Sequence, residues 1–153
     1  MTNILIVSDS HGRKNFLEDL INSKNYDYIF YLGDGADRDI GTNIYDPRFI
    51  YVKGNCDNYY SDFPLTQTLN IEGLKILITH GHEQKVKYGL EYMLNFAKSK
   101  GYKLVCFGHT HKQVFMEKDG IIFINPGALK NGDYAELMLD NKTIDCKLLN
   151  MLN

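Results

Sequence analysis

The sequence predicts a single α/β domain, residues 1–153, that closes in β structure. Three observations lead there: short apolar runs alternate with turn signals, clear helical spacing falls between two of them, and the last stretch reads as a hairpin. The runs are "NILIVS" (3–8), "YIFYL" (28–32), "FIYV" (49–52), "LKILIT" (74–79), "LVCF" (104–107) and "IIFI" (121–124). None shows strict polar alternation, and Ile, Val, Tyr and Phe dominate them, as in strands covered on both faces. All six are therefore expected to be interior strands.

Taken in order, the first strand is followed by Phe16, Leu17, Leu20 and Ile21, the apolar face of a short amphipathic helix. Between the fourth and fifth strands, Val86, Leu90, Met93, Leu94 and Ala97 recur at helical spacing. They predict a helix over 85–100, with Gly101 as its C-terminal stop. The tail "YAELMLDNKTIDCKLLN" predicts two strands joined through Asp140-Asn141-Lys142. No linker, repeat or low-complexity tract interrupts the series.

Bulk properties narrow the function classes. With 153 residues, 44% hydrophobic and 24% charged, the chain has the composition of a packed globular protein. A formal net charge of −2 supplies no general attraction to nucleic acid or anionic lipid, so no such partner is indicated. Cys56, Cys106 and Cys146 are odd in number and lack C-x-x-C spacing, which disfavours a disulfide framework and a thiolate zinc site and suits a reducing cytoplasm. The opening "MTNILIVSDSHG" is too short an apolar run for a secretion signal or a membrane span.

The residues just past each strand carry the chemistry. The first run ends in Asp9-Ser10-His11-Gly12, the second in Gly33-Asp34-Gly35, and the third in Gly54-Asn55-Cys56-Asp57. The fourth ends in His80-Gly81-His82, the fifth in Gly108-His109-Thr110-His111, and the sixth in Asn125-Pro126-Gly127. These stretches contain every histidine of the chain. Taken singly, a Gly-Asp or a His-x-His is most often a turn or a hydrated surface pair, and Asn125-Pro126-Gly127 reads as a turn. Taken together, strand ends that share one rim bring such groups into a common site. Imidazole, carboxylate and amide donors form a mixed N/O set suited to Mn²⁺, Fe, Zn²⁺ or Ni²⁺. Residues i and i+2 point the same way at a strand end, so Asp9 with His11, and His109 with His111, are each expected to grip a common centre.

The ordered series Asp9-x-His11, Gly33-Asp34, Gly54-Asn55, His80-Gly81 and Gly108-His109-x-His111 resembles the calcineurin-like metallophosphoesterase family over residues 7 to about 127. The short length and the "GNCD" form look most like its small prokaryotic phosphodiesterase branch. The resemblance implies a four-layer α/β/β/α sandwich with two divalent ions at one rim, Mn²⁺ first, with Ni²⁺, Zn²⁺, Fe or Mg²⁺ as alternatives. By position, Asp9, His11 and His111 would hold one ion, Asn55, His80 and His109 the other, and Asp34 would bridge them. Two cations about 3.5–4 Å apart can share a hydroxide and neutralise phosphoryl oxygens, so the implied reaction is in-line hydrolysis of a phosphoester, most specifically a phosphodiester. Asp34, Asn55 and His82 are the residues expected to serve catalysis, His82 by hydrogen-bonding a phosphate oxygen.

One departure bears on mechanism. Larger relatives carry a histidine after the Gly-Asn pair that protonates the leaving group, and here the residue is Cys56. A thiol is a poor substitute, which shifts that task toward Asp57, His82 or water, or toward esters with good leaving groups. A retromer subunit also resembles this fold, so a protein-binding scaffold is the alternative, alongside a phosphomonoesterase. The loop "NCDNYYSDFP" offers Tyr59, Tyr60 and Phe63 either to an interface or to packing against the sheet edge, and homo-oligomerisation stays open.

Overall fold

The structure is a computed structural model that describes residues 1–35, 46–57 and 63–153. In chain order, β1 (Thr2–Val7), α1 (Lys14–Ser23), β2 (Tyr28–Tyr31), β3 (Phe49–Tyr51), β4 (Thr66–Ile71) and β5 (Leu74–Thr79) come first. They are followed by α2 (Glu91–Lys100), β6 (Leu104–Cys106), β7 (Gln113–Lys118), β8 (Ile121–Pro126), β9 (Asp133–Asp140) and β10 (Thr143–Asn150). The strands form two sheets, ordered β10-β9-β1-β2-β3 and β4-β5-β6-β8-β7. β1, β2 and β3 run parallel, as do β5, β6 and β8. Antiparallel strands flank each parallel set: β9 and β10 beside β1, and β4 and β7 beside β5 and β8.

The missing polar alternation now has its cause. Successive residues of one strand enter two different cores. Ile4, Ile6, Phe30 and Leu32 meet Ile76, Ile78, Leu104, Cys106 and Ile124 between the sheets. Leu5, Val7, Ile29 and Tyr31 instead pack outward against Leu17 and Leu20 of α1. On the far side, Leu77, Val105, Phe107 and Phe123 pack against Met93, Leu94 and Ala97 of α2. Helix, sheet, sheet and helix thus form the expected four layers. Each fully buried Leu or Ile contributes about 1.5–3 kcal/mol relative to exposure.

Two local expectations are corrected. β3 ends its sheet in the strand order rather than lying inside it, and its residues Ile50 and Tyr51 are only half-buried. The helix expected over 85–100 begins at Glu91 instead. Lys85 sits at φ 56° and Gly89 at φ 115°, leaving a single 3₁₀ turn at Val86–Tyr88 between them. The far end matches the expectation: Gly101 adopts φ 75°, its N–H and that of Tyr102 bond back to Lys98 and Ala97, and Lys98 and Lys100 occupy the last turn. Strands β4 and β7 had no strong signal, because as flanking strands they are substantially exposed and lack a continuous apolar run. The final hairpin turns through Asn141 and Lys142, both at positive φ, the geometry of a tight two-residue turn.

Of the aromatic loop, Tyr59 and Tyr60 lie outside the described residues. Phe63 packs on Tyr51 with ring centroids 4.4 Å apart, within the layer that α1 covers. No helix among the described residues is long and apolar enough to cross a membrane.

Candidate metal centre

The six parallel strands deliver their C-terminal loops to one rim. Asp9 and His11 leave β1, Asp34 leaves β2, Asn55 leaves β3, His80 and His82 leave β5, and His109 and His111 leave β6. Two ligand groups form there: Asp9 with His11 and His111, and Asp34 with His80 and His109. In the first, Asp9 Oδ1 lies 3.6 Å from His11 Nε2 and 3.2 Å from His111 Nε2. In the second, His80 Nε2 lies 3.2 Å from Asp34 Oδ2, 3.2 Å from His109 Nδ1 and 3.1 Å from Asn55 Oδ1. Asp34 Oδ2 is also 3.8 Å from His11 Nε2, so one carboxylate oxygen faces both groups.

The pairing differs from strand-end reasoning. Asp9 and His11 do share a group, but His109 and His111 part company, one to each. The cause is backbone conformation: Asp9, His11, Asp34, His109 and His111 all have φ between 45° and 69°, so strand periodicity no longer sets their directions. Left-handed backbone at residues other than glycine is energetically costly and concentrates at functional sites.

Local hydrogen bonds hold each donor. His80 is fully buried and donates Nδ1–H to the Leu32 carbonyl at 2.7 Å, which turns Nε2 toward the ligand groups. Asp9 is fully buried, and its Oδ2 accepts from Ser8 Oγ at 2.6 Å and from the His109 amide at 3.1 Å, leaving Oδ1 for the cluster. Asp34 Oδ1 accepts from the Cys56 amide at 2.8 Å, leaving Oδ2.

Two supporting residues carry no ligand signal in sequence. Asp57, a candidate proton relay by sequence, accepts from the backbone N–H groups of Asp34, Gly35 and Gly54 at 2.7–2.8 Å. It clamps the β2 and β3 loops together. Asn125, whose neighbours Pro126 and Gly127 suggest no more than a turn, lies fully buried at the end of β8. Its Nδ2 donates to the Gly108 carbonyl and to Thr110 Oγ1, each at 3.0 Å, fixing the loop that carries His109 and His111. A buried Asn after a hydrophobic strand was the only available hint.

The electrostatics fit a cation site. Burial works to raise the Asp34 carboxyl, but the hydrogen bond and charge of His80, the Cys56 amide and His11 outweigh it and hold it well below the carboxylate range. Burial likewise opposes protonation of His80, yet Asp34 and Asp9 lift it above the ordinary imidazole value. Burial, with the charges of His80 and Lys87, lowers His109 to about 4, keeping it a neutral donor. His11 Nε2 is buried without a hydrogen-bond partner while facing two carboxylates. Such an arrangement is costly unless a cation joins the three, and the mixed N/O donors suit a divalent one.

His82 lies beside the second group, its ring 5.5 Å from His80 and 6.1 Å from His109, with Nδ1 buried and unpartnered. Burial, then His80, lowers its pKa. Burial, then Asp34, pushes the Cys56 thiol up, so it stays protonated at neutral pH.

Known proteins resemble this chain in sequence and fold. Residues 2–140 match the model of the calcineurin-like phosphoesterase superfamily domain. A probable metallophosphoesterase of Bacillus subtilis is 33% identical over 147 residues, covering 91% of this chain and 85% of its own length. The solved structure of a novel archaeal phosphodiesterase superposes with a TM-score of 0.76 at 25% identity, covering 96% of this chain and 99% of that one. Vps29 of Chaetomium thermophilum gives a TM-score of 0.78 at 16% identity over 97% of each chain, a likeness of fold alone.

Proposed function

This chain belongs to the calcineurin-like phosphoesterase superfamily, and from that premise we propose that it hydrolyses phosphodiesters with two divalent cations, Mn²⁺ foremost. The observation that supports this most directly is the pair of ligand groups meeting at Asp34 Oδ2, 3.2 Å from His80 Nε2 and 3.8 Å from His11 Nε2. Asp9, His11 and His111 would hold one ion, and Asn55, His80 and His109 the other, with Asp34 between them. Bound there, the ions supply a water nucleophile at neutral pH and positive charge for the phosphoryl oxygens.

The chain's own residues do the rest. The Asp57 and Asn125 hydrogen bonds keep the ligand loops in place before substrate arrives, so little reorganisation accompanies reaction. His82, beside both His80 and His109, would hydrogen-bond a phosphoryl oxygen in the substrate and orient it for in-line attack. A new P–O bond forms from water and the ester P–O bond breaks, with no covalent enzyme intermediate. Cys56 is unsuited to be the nucleophile because its thiol is held protonated. Leaving-group protonation then falls to solvent or His82, since Asp57 is committed to three amides. Esters with good leaving groups are therefore favoured.

The test is hydrolysis of bis(4-nitrophenyl) phosphate beside 4-nitrophenyl phosphate after metal removal and add-back of Mn²⁺, Ni²⁺, Zn²⁺ or Mg²⁺, with Mn²⁺ stoichiometry from calorimetry. Metal-dependent cleavage of the diester in preference to the monoester, lost in Asp34→Asn and His80→Ala, is expected. Two bound ions with no turnover by any metal would transfer the assignment to an association role of the retromer-subunit kind.

A further inference from the structure

A groove of about 480 Å³ opens beside the metal centre, within the range of about 300–1,000 Å³ typical of small-molecule sites. Val86, Leu90, Phe107 and Val114 give it an apolar lining, and Lys87 and Lys112 contribute charge. It is continuous with the ligand loops. Thr110, which also lines it, sits between His109 and His111, and Val86 and Phe107 approach Gly81, the residue between His80 and His82. The irregular backbone from Lys85 to Gly89, which displaced the start of α2, forms one wall.

The charges are the second observation. Lys87 and Lys112 are both exposed and have no acidic partner among the described residues. Other lysines with an ion pair, such as Lys24 and Lys98, lie elsewhere on the molecule. Two unneutralised ammonium groups over an apolar trough, on a chain of net charge −2, make a local basic site. Tyr88, 92% exposed, follows Lys87 in the chain and precedes Gly89, both of which line the groove. Neither lipid tails nor simple alkyl esters would use both features.

Resting on the phosphodiesterase reading, we infer that this groove seats one ester arm of the substrate, an arm that combines a planar apolar ring with a second phosphate. The apolar trough takes the ring, and Lys87 and Lys112 take the additional phosphate as point charges. The scissile phosphate would then lie at the rim where His82 and the two ligand groups converge. The chemical class is that of a phosphorylated nucleotide ester rather than a simple dialkyl phosphate.

The experiment compares three substrates with one leaving group: methyl 4-nitrophenyl phosphate, thymidine 5′-(4-nitrophenyl phosphate), and the latter with a 3′-phosphate. The expected result is kcat/KM rising at each step. The increment due to the 3′-phosphate should fall about three- to tenfold in the Lys87→Gln/Lys112→Gln protein, as the loss of two exposed ion pairs implies. Lys98→Gln, on α2 and paired with Asp119, should leave that increment as it was. In parallel, calorimetry with thymidine 3′,5′-bisphosphate on metal-stripped protein should show the same three- to tenfold weakening. A flat series in the wild type, or a double variant that binds the bisphosphate as tightly as the parent, overturns the inference. If none of the three esters is cleaved, the phosphodiesterase reading fails, while the calorimetric arm still decides on the groove.

Discussion

Replacing Asp57 by asparagine tests whether the clamp between the β2 and β3 loops organises the metal centre. The carboxylate is buried and accepts three backbone hydrogen bonds, two at Oδ2 from Asp34 and Gly54 and one at Oδ1 from Gly35. An Asn amide has nearly the same shape but only one acceptor oxygen. Whichever way it turns, its NH₂ faces at least one backbone N–H, because both carboxylate oxygens are in use. One charge-assisted hydrogen bond is lost and one buried donor is orphaned, for a cost of about 2–3 kcal/mol. With the amide oxygen in the Oδ2 place the orphaned N–H is that of Gly35, so the backbone is loosened at the residue next to Asp34. Removal of outer supports typically weakens metal binding about 10–100-fold, so Mn²⁺ affinity should fall by at least about tenfold. Urea unfolding followed by circular dichroism measures the first effect and titration calorimetry the second. A variant within about 0.5 kcal/mol of the parent, the scale of neutral surface changes, with unchanged Mn²⁺ affinity would refute the clamp.

Two further predictions concern packing and pH. At Gly108 an added Cβ would stand 2.1 Å from Ser8 Oγ and 2.8 Å from Asp9 Oδ2. Gly108→Ala should therefore cost about 1–3 kcal/mol of stability and weaken Mn²⁺ binding, read by thermal melting and calorimetry, because relief of the clash moves the Asp9 carboxylate. The Glu136 carboxylate accepts from Lys24 Nζ and Tyr26 OH; burial raises its pKa, but these two partners bring it below the ordinary 4.5. A depressed carboxylate stabilises the fold above its unfolded pKa and loses that contribution as pH falls through the folded value. Glu136→Gln should accordingly be less stable than the parent at pH 6–7, by about 0.5–1 kcal/mol for a pair whose lysine is solvent-exposed, and the gap should close as pH falls below about 4.5 in urea titrations. A gap independent of pH would show that the ion pair contributes nothing.

Local composition was enough to specify doubly covered strands and the donor inventory, whereas the four layers followed only from the family resemblance. Runs such as "NILIVS" and "LKILIT" are apolar at every position because successive residues enter different cores, and that demand is written into the residues of each strand. The donors could be read because parallel strands bring their C-terminal ends to one rim, so residues scattered from Asp9 to His111 converge by topology. Which donors share a group did not follow from strand periodicity, although the family resemblance implied a separation of His109 from His111. The positive φ values at Asp9, His11, Asp34, His109 and His111 turn side chains in directions that a two-residue period does not describe, and these angles depend on contacts made between loops. The supporting roles of Asp57 and Asn125 were hidden for the same reason: their partners are main-chain groups on other loops, which leave no pattern in a sequence. The groove beside the centre joins Val86 to Val114 through packing across the second sheet, and no local spacing encodes it. Periodicity fixes which way a regular element faces, whereas the pairing of irregular loops depends on where the packed elements put them.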